Sequence, residues 1–208
     1  SLPSIDTMKK LLATALREAC QHNRTILVAH LLSQQQQVKD EEQLLTAENI
    51  DLEHTILPAI TFRNLIIVEL ICNYCRLFIN PSLIAQFQLK PFYVSSTVGI
   101  NLSYQQQTFR YHGGFEGNLL HFACANNEMK PNLVKHLLDA GVPVNDRVAH
   151  GGNIAAWISS DSHLGTTPLL FAATNGNKTL VRFLLMHDQS VNYLTLHYNA
   201  YEHFAKAA

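Results

Sequence analysis

Several residue groups in this chain have types and spacings that could do chemistry. Cys72-Asn-Tyr-Cys75 has the spacing of a redox or zinc-binding pair, and eleven histidines stand by as further ligands. A structural zinc site needs four ligands, usually two such pairs, and no second pair exists. A redox pair wants a strand before it and an exposed helix start, whereas these cysteines end an amphipathic helical run, so buried packing explains them. His121 and Cys124 lie three apart, as a thiol and an imidazole on one helix face would for nucleophilic catalysis. Asp161-Ser162-His163, with Ser159-Ser160, supplies serine-triad residue types, but sequence neighbours on a loop do not thereby converge in space. Gly113-Gly114 and Gly151-Gly152 lack the lysine and helix of a phosphate loop. Asp40-Glu41-Glu42 is most simply a solvated charge run. The expectation is no catalytic residue, no metal and no cofactor.

The elements that must position these residues are repeated. Thr14–Asn23, Thr55–Asn64, Asn118–Asn127 and Thr167–Gly176 each place Thr or Asn first, Leu third, a small or branched apolar residue sixth, and Asn or Gly tenth. This is the pattern of a short helix. The first residue caps it, Pro168 sits harmlessly in a first turn, and the tenth residue takes a left-handed conformation that ends it. A second pattern follows each window: Leu27-Val28-x-x-Leu31-Leu32, Ile67-Val68-x-x-Ile71-Cys72, Leu133-Val134-x-x-Leu137-Leu138 and Leu180-Val181-x-x-Leu184-Leu185. Apolar pairs at that spacing make one helical stripe. Neither helix buries its face alone, but stacked hairpins do.

The residues 165–192, from Gly165-Thr-Thr-Pro-Leu-Leu-Phe-Ala-Ala-Thr-Asn-Gly to Val191-Asn192, closely resemble an ankyrin repeat, with Thr-Pro-Leu, Ala-Ala, the turn glycine and the Leu-Leu pair in register. Leu119-Leu-His-Phe-Ala-Cys124 with Gly141-Val-Pro-Val-Asn145 resembles a second, His121 standing at the family's histidine. In that alignment His121 is the hydrogen-bonding histidine between units and Cys124 the small core position. The window at 14–32 is a fair match, and the one at 55–72 a weak one with Pro58 for the histidine and Ile60 for the alanine. The resemblance implies an all-α solenoid over 1–208, with units at about 14–32, 55–79, 117–145 and 165–192. Asn199-Ala-Tyr-Glu-His-Phe204 resembles the opening of a fifth unit, making 197–208 a partial unit or cap.

Window starts are 41, 63 and 49 residues apart, against about 33 in the family. The surplus forms insertions at 33–50, 81–115 and 146–164, in loops that often line the binding face. The first is polar, with a glutamine run, and reads as a solvated linker, a helical extension over 39–46 being the alternative. In the second, Asn80-Pro81 marks a helix start, and the alternation of Val98, Ile100, Leu102 and Tyr104 with Gly99, Asn101 and Ser103 predicts a β-hairpin near 92–111, a degenerate repeat being the alternative. The third holds Trp157, the only tryptophan, as an aromatic anchor for a partner or, alternatively, as a side chain folded onto the stack.

The resemblance implies a protein–protein interaction module. Its concave side is lined by residues just before each turn and by the finger loops. Carried over by position, these are Gln21 and His22, Phe62 and Arg63, Ala125 and Asn126, and Thr174 and Asn175, with Asp146, Arg147, His150, Trp157 and His163 on the long finger. Such a surface suits a folded partner better than a small molecule. The alternative is the targeting domain of a larger enzyme, or a hydrolase built from the insertions. Irregular arrays with long insertions also resemble effectors that intracellular bacteria inject, which implies the host cytosol.

Composition narrows the field. Fifteen Lys+Arg against sixteen Asp+Glu leave a net charge of −1, so no positive field gathers phosphates and nucleic-acid binding is not expected. The apolar run Leu65–Cys72 is broken by Glu69 and falls short of the roughly 20 residues of a membrane span. Lys9-Lys10 precedes an apolar stretch that Arg17 and Glu18 cut short, so no export signal is read there. Four cysteines in apolar runs suggest a reducing, cytoplasmic setting rather than a disulfide framework.

Overall fold

The turn that joins two helices recurs with one geometry. A computed structural model describes residues 4–36, 43–89, 117–147 and 167–187. In it Asn23, Arg63 and Gly176 are left-handed, at φ 54°, 56° and 71°. Their amides donate to Cys20, Ile60 and Ala173 at 3.0, 2.9 and 3.0 Å, and the next amides, of Arg24, Asn64 and Asn177, donate to Ala19, Ala59 and Ala172 at 2.8, 2.9 and 3.0 Å. The left-handed residue thereby satisfies the last carbonyls of one helix and turns the chain into the next. This bonding corrects the second window by one residue. Ala59, not Ile60, takes the small core position; Leu57, not Pro58, takes the histidine position; and Arg63, not Asn64, ends the helix.

Helix starts also depart from the window starts. Helix α1 runs Ile5–Gln21, capped by Ser4, whose Oγ accepts from the Thr7 amide at 3.3 Å. Thr14 therefore lies mid-helix, because Ile5–Ala13 holds no Gly or Pro to stop the helix extending backwards. Helix α2 is Thr25–Gln36 and α3 is Leu52–Thr61. Asp51 caps α3, and Thr55, inside it, turns its hydroxyl back to the Asp51 carbonyl at 2.9 Å. Helix α4 is Leu65–Tyr74; it runs on as a π-helical turn, Cys75–Ile79, closed by the Asn80 amide on the Cys75 carbonyl at 2.8 Å. The Asn80-Pro81 signal holds: the Asn80 side chain accepts from the Ser82 amide at 2.9 Å and the short α5, Leu83–Gln86, follows.

Strands β1, Gln88–Leu89, and β2, Gly117–Asn118, pair antiparallel, so the chain leaves at Leu89 and returns at Gly117 beside its exit. Helix α6 is Leu119–Cys124, α7 Pro131–Asp139, α8 Pro168–Thr174 and α9 Lys178–His187. Thr167 caps α8 with Pro168 in its first turn, as expected. The hairpin expected near 92–111 and residues 148–164 of the long finger lie outside the described residues.

The chain packs as two compact units, Ser1–Phe87 with Asn132–Val142, and Gln88–Pro131 with Pro143–Ala208. In the first, α1 lies against α2 and α3, α3 against α4, and α2 against α4, which is a pair of stacked hairpins. Leu16, Cys20, Val28, Leu32, Ile56, Ile67 and Ile71 fill their interior. The first insertion contributes to this core: Leu45 and Ile50 are buried, and Asn49 closes the turn between them through the Thr46 amide at 2.8 Å and the Leu44 carbonyl at 2.7 Å. Of the polar stretch 33–43 read as a solvated linker, Ser33–Gln36 continue α2 and 37–42 lie outside the described residues. In the second unit α6 lies against α8 and β2, and α8 against α9, around Leu119, Ala123, Phe171, Ala172 and Leu184.

Candidate functional site

The sequence-selected residues separate by what their side chains already do. In the first unit Gln21 closes α1 half-buried, while His22 is exposed, its Nε2 3.6 Å from the Glu18 carboxylate at the protein surface. Phe62 and Arg63 are half-buried at the next turn. By the corrected register Thr61 and Phe62 are the counterparts of Gln21 and His22, and Arg63 is the turn residue itself.

In the second unit two of the corresponding residues are bonded to backbone groups. Asn126 is buried, its Oδ1 accepting from the Glu128 amide at 2.9 Å. Asn175 donates through Nδ2 to the Phe171 carbonyl at 2.7 Å and, more distantly, to that of Cys124 at 3.5 Å. Thr174 is the last residue of α8. Asp146 joins a network around His121 rather than standing out on a finger. Its Oδ2 accepts from Asn118 Nδ2 at 3.2 Å and Gln88 Nε2 at 3.5 Å, and its carbonyl lies 3.1 Å from His121 Nε2. Arg147, next to it, is exposed. His150, Trp157 and His163 lie outside the described residues.

His121 is wholly buried, and its proton can be placed from its partners. Nδ1 lies 3.1 Å from the Asn118 amide and 2.9 Å from Asn118 Oδ1, and Nε2 lies 3.1 Å from the Asp146 carbonyl, which can only accept, so Nε2 carries a proton. The Asn118 side chain in turn accepts from the Leu120 and His121 amides, completing a reciprocal cap. The edge of the Phe171 ring lies 5.7 Å away, centre to centre. With both nitrogens committed, this imidazole ties loop to helix. Cys124 is also wholly buried, and burial pushes its thiol far above the ordinary range. Cys72 and Cys75 are buried too, their thiols pushed up to about 12. Thiolate chemistry needs the opposite shift.

Two residues outside the sequence-based selection form an exposed apolar feature of the first unit. Counted from the left-handed turn residue, Ile26 and Ile66 hold the same place in α2 and α4, and they are 87% and 56% exposed. Asn64 brings the two helix starts together: its Nδ2 donates to Asn23 Oδ1 and to Thr25 Oγ1, both at 2.7 Å, while its Oδ1 caps α4 through the Ile67 amide at 3.1 Å. Leu27, 45% exposed, extends the patch, and Arg24 and His22 border it. The signal was in the sequence. The residue before each Leu-Val or Ile-Val pair is Asn132 and Thr179 in the second pair of repeats, but isoleucine in the first.

Stacked helical hairpins, three of them joined through the same left-handed turn, with polar groups spent on capping, define a helical-repeat array. Residues 94–195 match a family model described as ankyrin repeats, in three copies. Residues 94–195 carry ankyrin repeats, and the described helices form a helical array of that kind. Arrays of this kind generally mediate protein–protein interaction. No curated protein and no solved structure matches the chain. Among the described residues no helix is long and apolar enough to cross a membrane.

Proposed function

We propose that this chain docks a folded protein partner, and that the first unit presents an apolar contact on the starts of α2 and α4. The observation that carries this is the exposed isoleucine recurring at equivalent positions of adjacent, packed outer helices, Ile26 and Ile66. Single exposed apolar side chains are common, but side-by-side recurrence with a polar border of His22 and Arg24 is the make-up of a contact patch. Phe62 and Arg63 adjoin it along the turn. In the second unit Arg147 offers an exposed group, and the finger residues His150, Trp157 and His163 remain part of the proposal on their sequence alone. Asn126, Asn175 and Asp146 are then supports of the surface rather than its contacts, and Thr174 stays in the proposal on its sequence alone. A finer reading is supported by the irregular spacing and long insertions: an effector that intracellular bacteria deliver into the host cytosol, on which a single continuous solenoid over 1–208 acts as scaffold.

The test is a partner recovered by affinity purification and then titrated against purified variants. Burying an isoleucine is worth about 1.5–3 kcal/mol, so Ile26→Asp with Ile66→Asp is expected to weaken binding by about a hundredfold or more while the melting temperature holds. Undiminished affinity in that double variant moves the contact off this patch. Trp157→Ala run alongside shows whether the finger carries it instead.

A further inference from the structure

The turn between α8 and α9 holds the chain's only Asn-Gly pair, Asn175-Gly176. The fold does not require that pair there, since the equivalent pairs of two earlier turns are His22-Asn23 and Phe62-Arg63. A Cβ built on Gly176 meets nothing within 4 Å, so the glycine answers only to its left-handed φ of 71°, a region that Asn23 and Arg63 also occupy. What the pair does bring is reactivity. An asparagine followed by glycine is the sequence most prone to side-chain deamidation, because the glycine has no side chain to shield its amide nitrogen from the neighbouring carboxamide.

The closed turn keeps the two reacting groups apart. The Gly176 amide donates to the Ala173 carbonyl at 3.0 Å and the Asn177 amide to that of Ala172 at 3.0 Å, so the attacking nitrogen is committed. Asn175 sits at φ −84°, ψ −1°, which turns the Gly176 nitrogen toward the backbone nitrogen of Asn175 and away from its Cβ. The carboxamide is held as well, Nδ2 donating to the Phe171 carbonyl at 2.7 Å and, more distantly, to that of Cys124 at 3.5 Å. Phe171 lies in α8 and Cys124 ends α6. The side chain that could react is therefore also a tie between the two inner helices of the second unit.

We propose that Asn175-Gly176 is a deamidation site gated by the fold, which reacts only from the opened turn and, once it has reacted, severs the tie between α8 and α6. In the opened turn the Gly176 nitrogen gives its proton to water and bonds to Asn175 Cγ. The Cγ–Nδ2 bond breaks, and Nδ2 takes up a proton and leaves as ammonia. Water then opens the five-membered imide at either carbonyl, giving aspartate or its β-linked isomer. One water is consumed and one ammonia released, with no oxidant or reductant. The new carboxylate has no hydrogen to donate and meets two carbonyl oxygens, so the turn cannot close again on its former bonds. Openings of this turn are thereby recorded in the chain, independently of the partner patch on α2 and α4.

The test follows the full chain in mildly alkaline buffer, scoring residue 175 by the mass of its peptide and by separation of the aspartyl and isoaspartyl forms. The folded chain is expected to react at least about a hundredfold more slowly than the chain unfolded in denaturant, because the reaction must wait for the turn to open. Equal rates overturn the gate, and an unfolded chain that keeps its amide at 175 overturns the site. Asn177→Ala removes the cap that Oδ1 gives the Leu180 amide at 3.0 Å and the bond from Nδ2 to the Met129 carbonyl at 2.9 Å. It is expected to speed the folded-state reaction about tenfold or more. Should that variant not fold, the unaltered chain gives the same reading in denaturant below its unfolding midpoint, where the rate at 175 climbs with concentration; a flat rate overturns the proposal. The severed tie is read in Asn175→Asp: hydrogen exchange of the α6 and α8 amides should quicken about tenfold or more, and exchange equal to that of the parent chain overturns the proposal equally.

Discussion

Arg63 shows how a single residue can be misassigned by sequence and then explained by geometry. Its place next to Asn64 makes it look like a surface group just ahead of the turn, yet it is the turn, at φ 56°. Gly176 and Asn23 hold the same place, residue types that tolerate that conformation, whereas an arginine there carries a steric cost of roughly 1–2 kcal/mol. Glycine removes that cost and loses part of it again to unfolded-state entropy. Arg63→Gly is accordingly expected to raise stability by about 0.5–1 kcal/mol, read as a higher denaturant midpoint at unchanged slope. A lower midpoint would show that contacts of the arginine side chain outweigh its backbone strain. Other residue roles divide in the same way. Ala19, Ala123 and Ala172 were legible because packing demands a small residue there, whereas His121, read as a bond between units, instead bonds Asn118 and Asp146. The inward turn of Asn126 and Asp146 was not legible, because a polar residue near a loop serves solvent, a partner or a backbone amide equally well until the loop's path is fixed.

At the scale of elements, one device appears twice. Asn64 and Asn177 each cap an outer helix with Oδ1 and reach back with Nδ2 to the preceding repeat, to Asn23 and Thr25 in one case and to the Met129 carbonyl at 2.9 Å in the other. Each ties two repeats together at the end where their helices begin. Loss of the cap costs about 1 kcal/mol, and each lost hydrogen bond roughly another 0.5–1.5. Asn64→Ala is therefore expected to destabilise by about 2–3 kcal/mol. Asn64→Ser keeps a capping oxygen but is too short to span to Thr25, so it should fall between Ala and wild type; a serine variant as damaged as the alanine would leave the cap with no share in the effect. The sequence shows why outer helices were read well and inner ones poorly. The Leu-Val-x-x-Leu-Leu stripe is a packing requirement that recurs with only apolar replacements, as in Ile67-Val68-x-x-Ile71-Cys72. An inner helix start is set by whichever capping residue the preceding loop presents, and Ser4 and Asp51 lie outside the repeated window.

Across the whole molecule the governing quantity is the scarcity of charge, with 15% charged residues and a net charge of −1. The outer-helix stripes were legible from spacing alone, because apolar pairs at a fixed interval mark one helical face. The position of the exposed surface was not, since it depends on which stripe positions the neighbouring repeat covers. Those uncovered positions prove to be isoleucines and leucines rather than ion-pairing groups, and this bears on how a partner is held. Apolar burial is insensitive to ionic strength, whereas exposed ion pairs are screened beyond about 10 Å at 0.1 M salt. Raising salt from about 50 to about 500 mM is thus expected to change the partner's dissociation constant by less than about threefold, with a slow association rate in the unsteered range. A tenfold or greater weakening by salt would place the binding energy on His22, Arg24, Arg63 and Arg147 instead, and Ile26→Asp would then leave affinity nearly untouched.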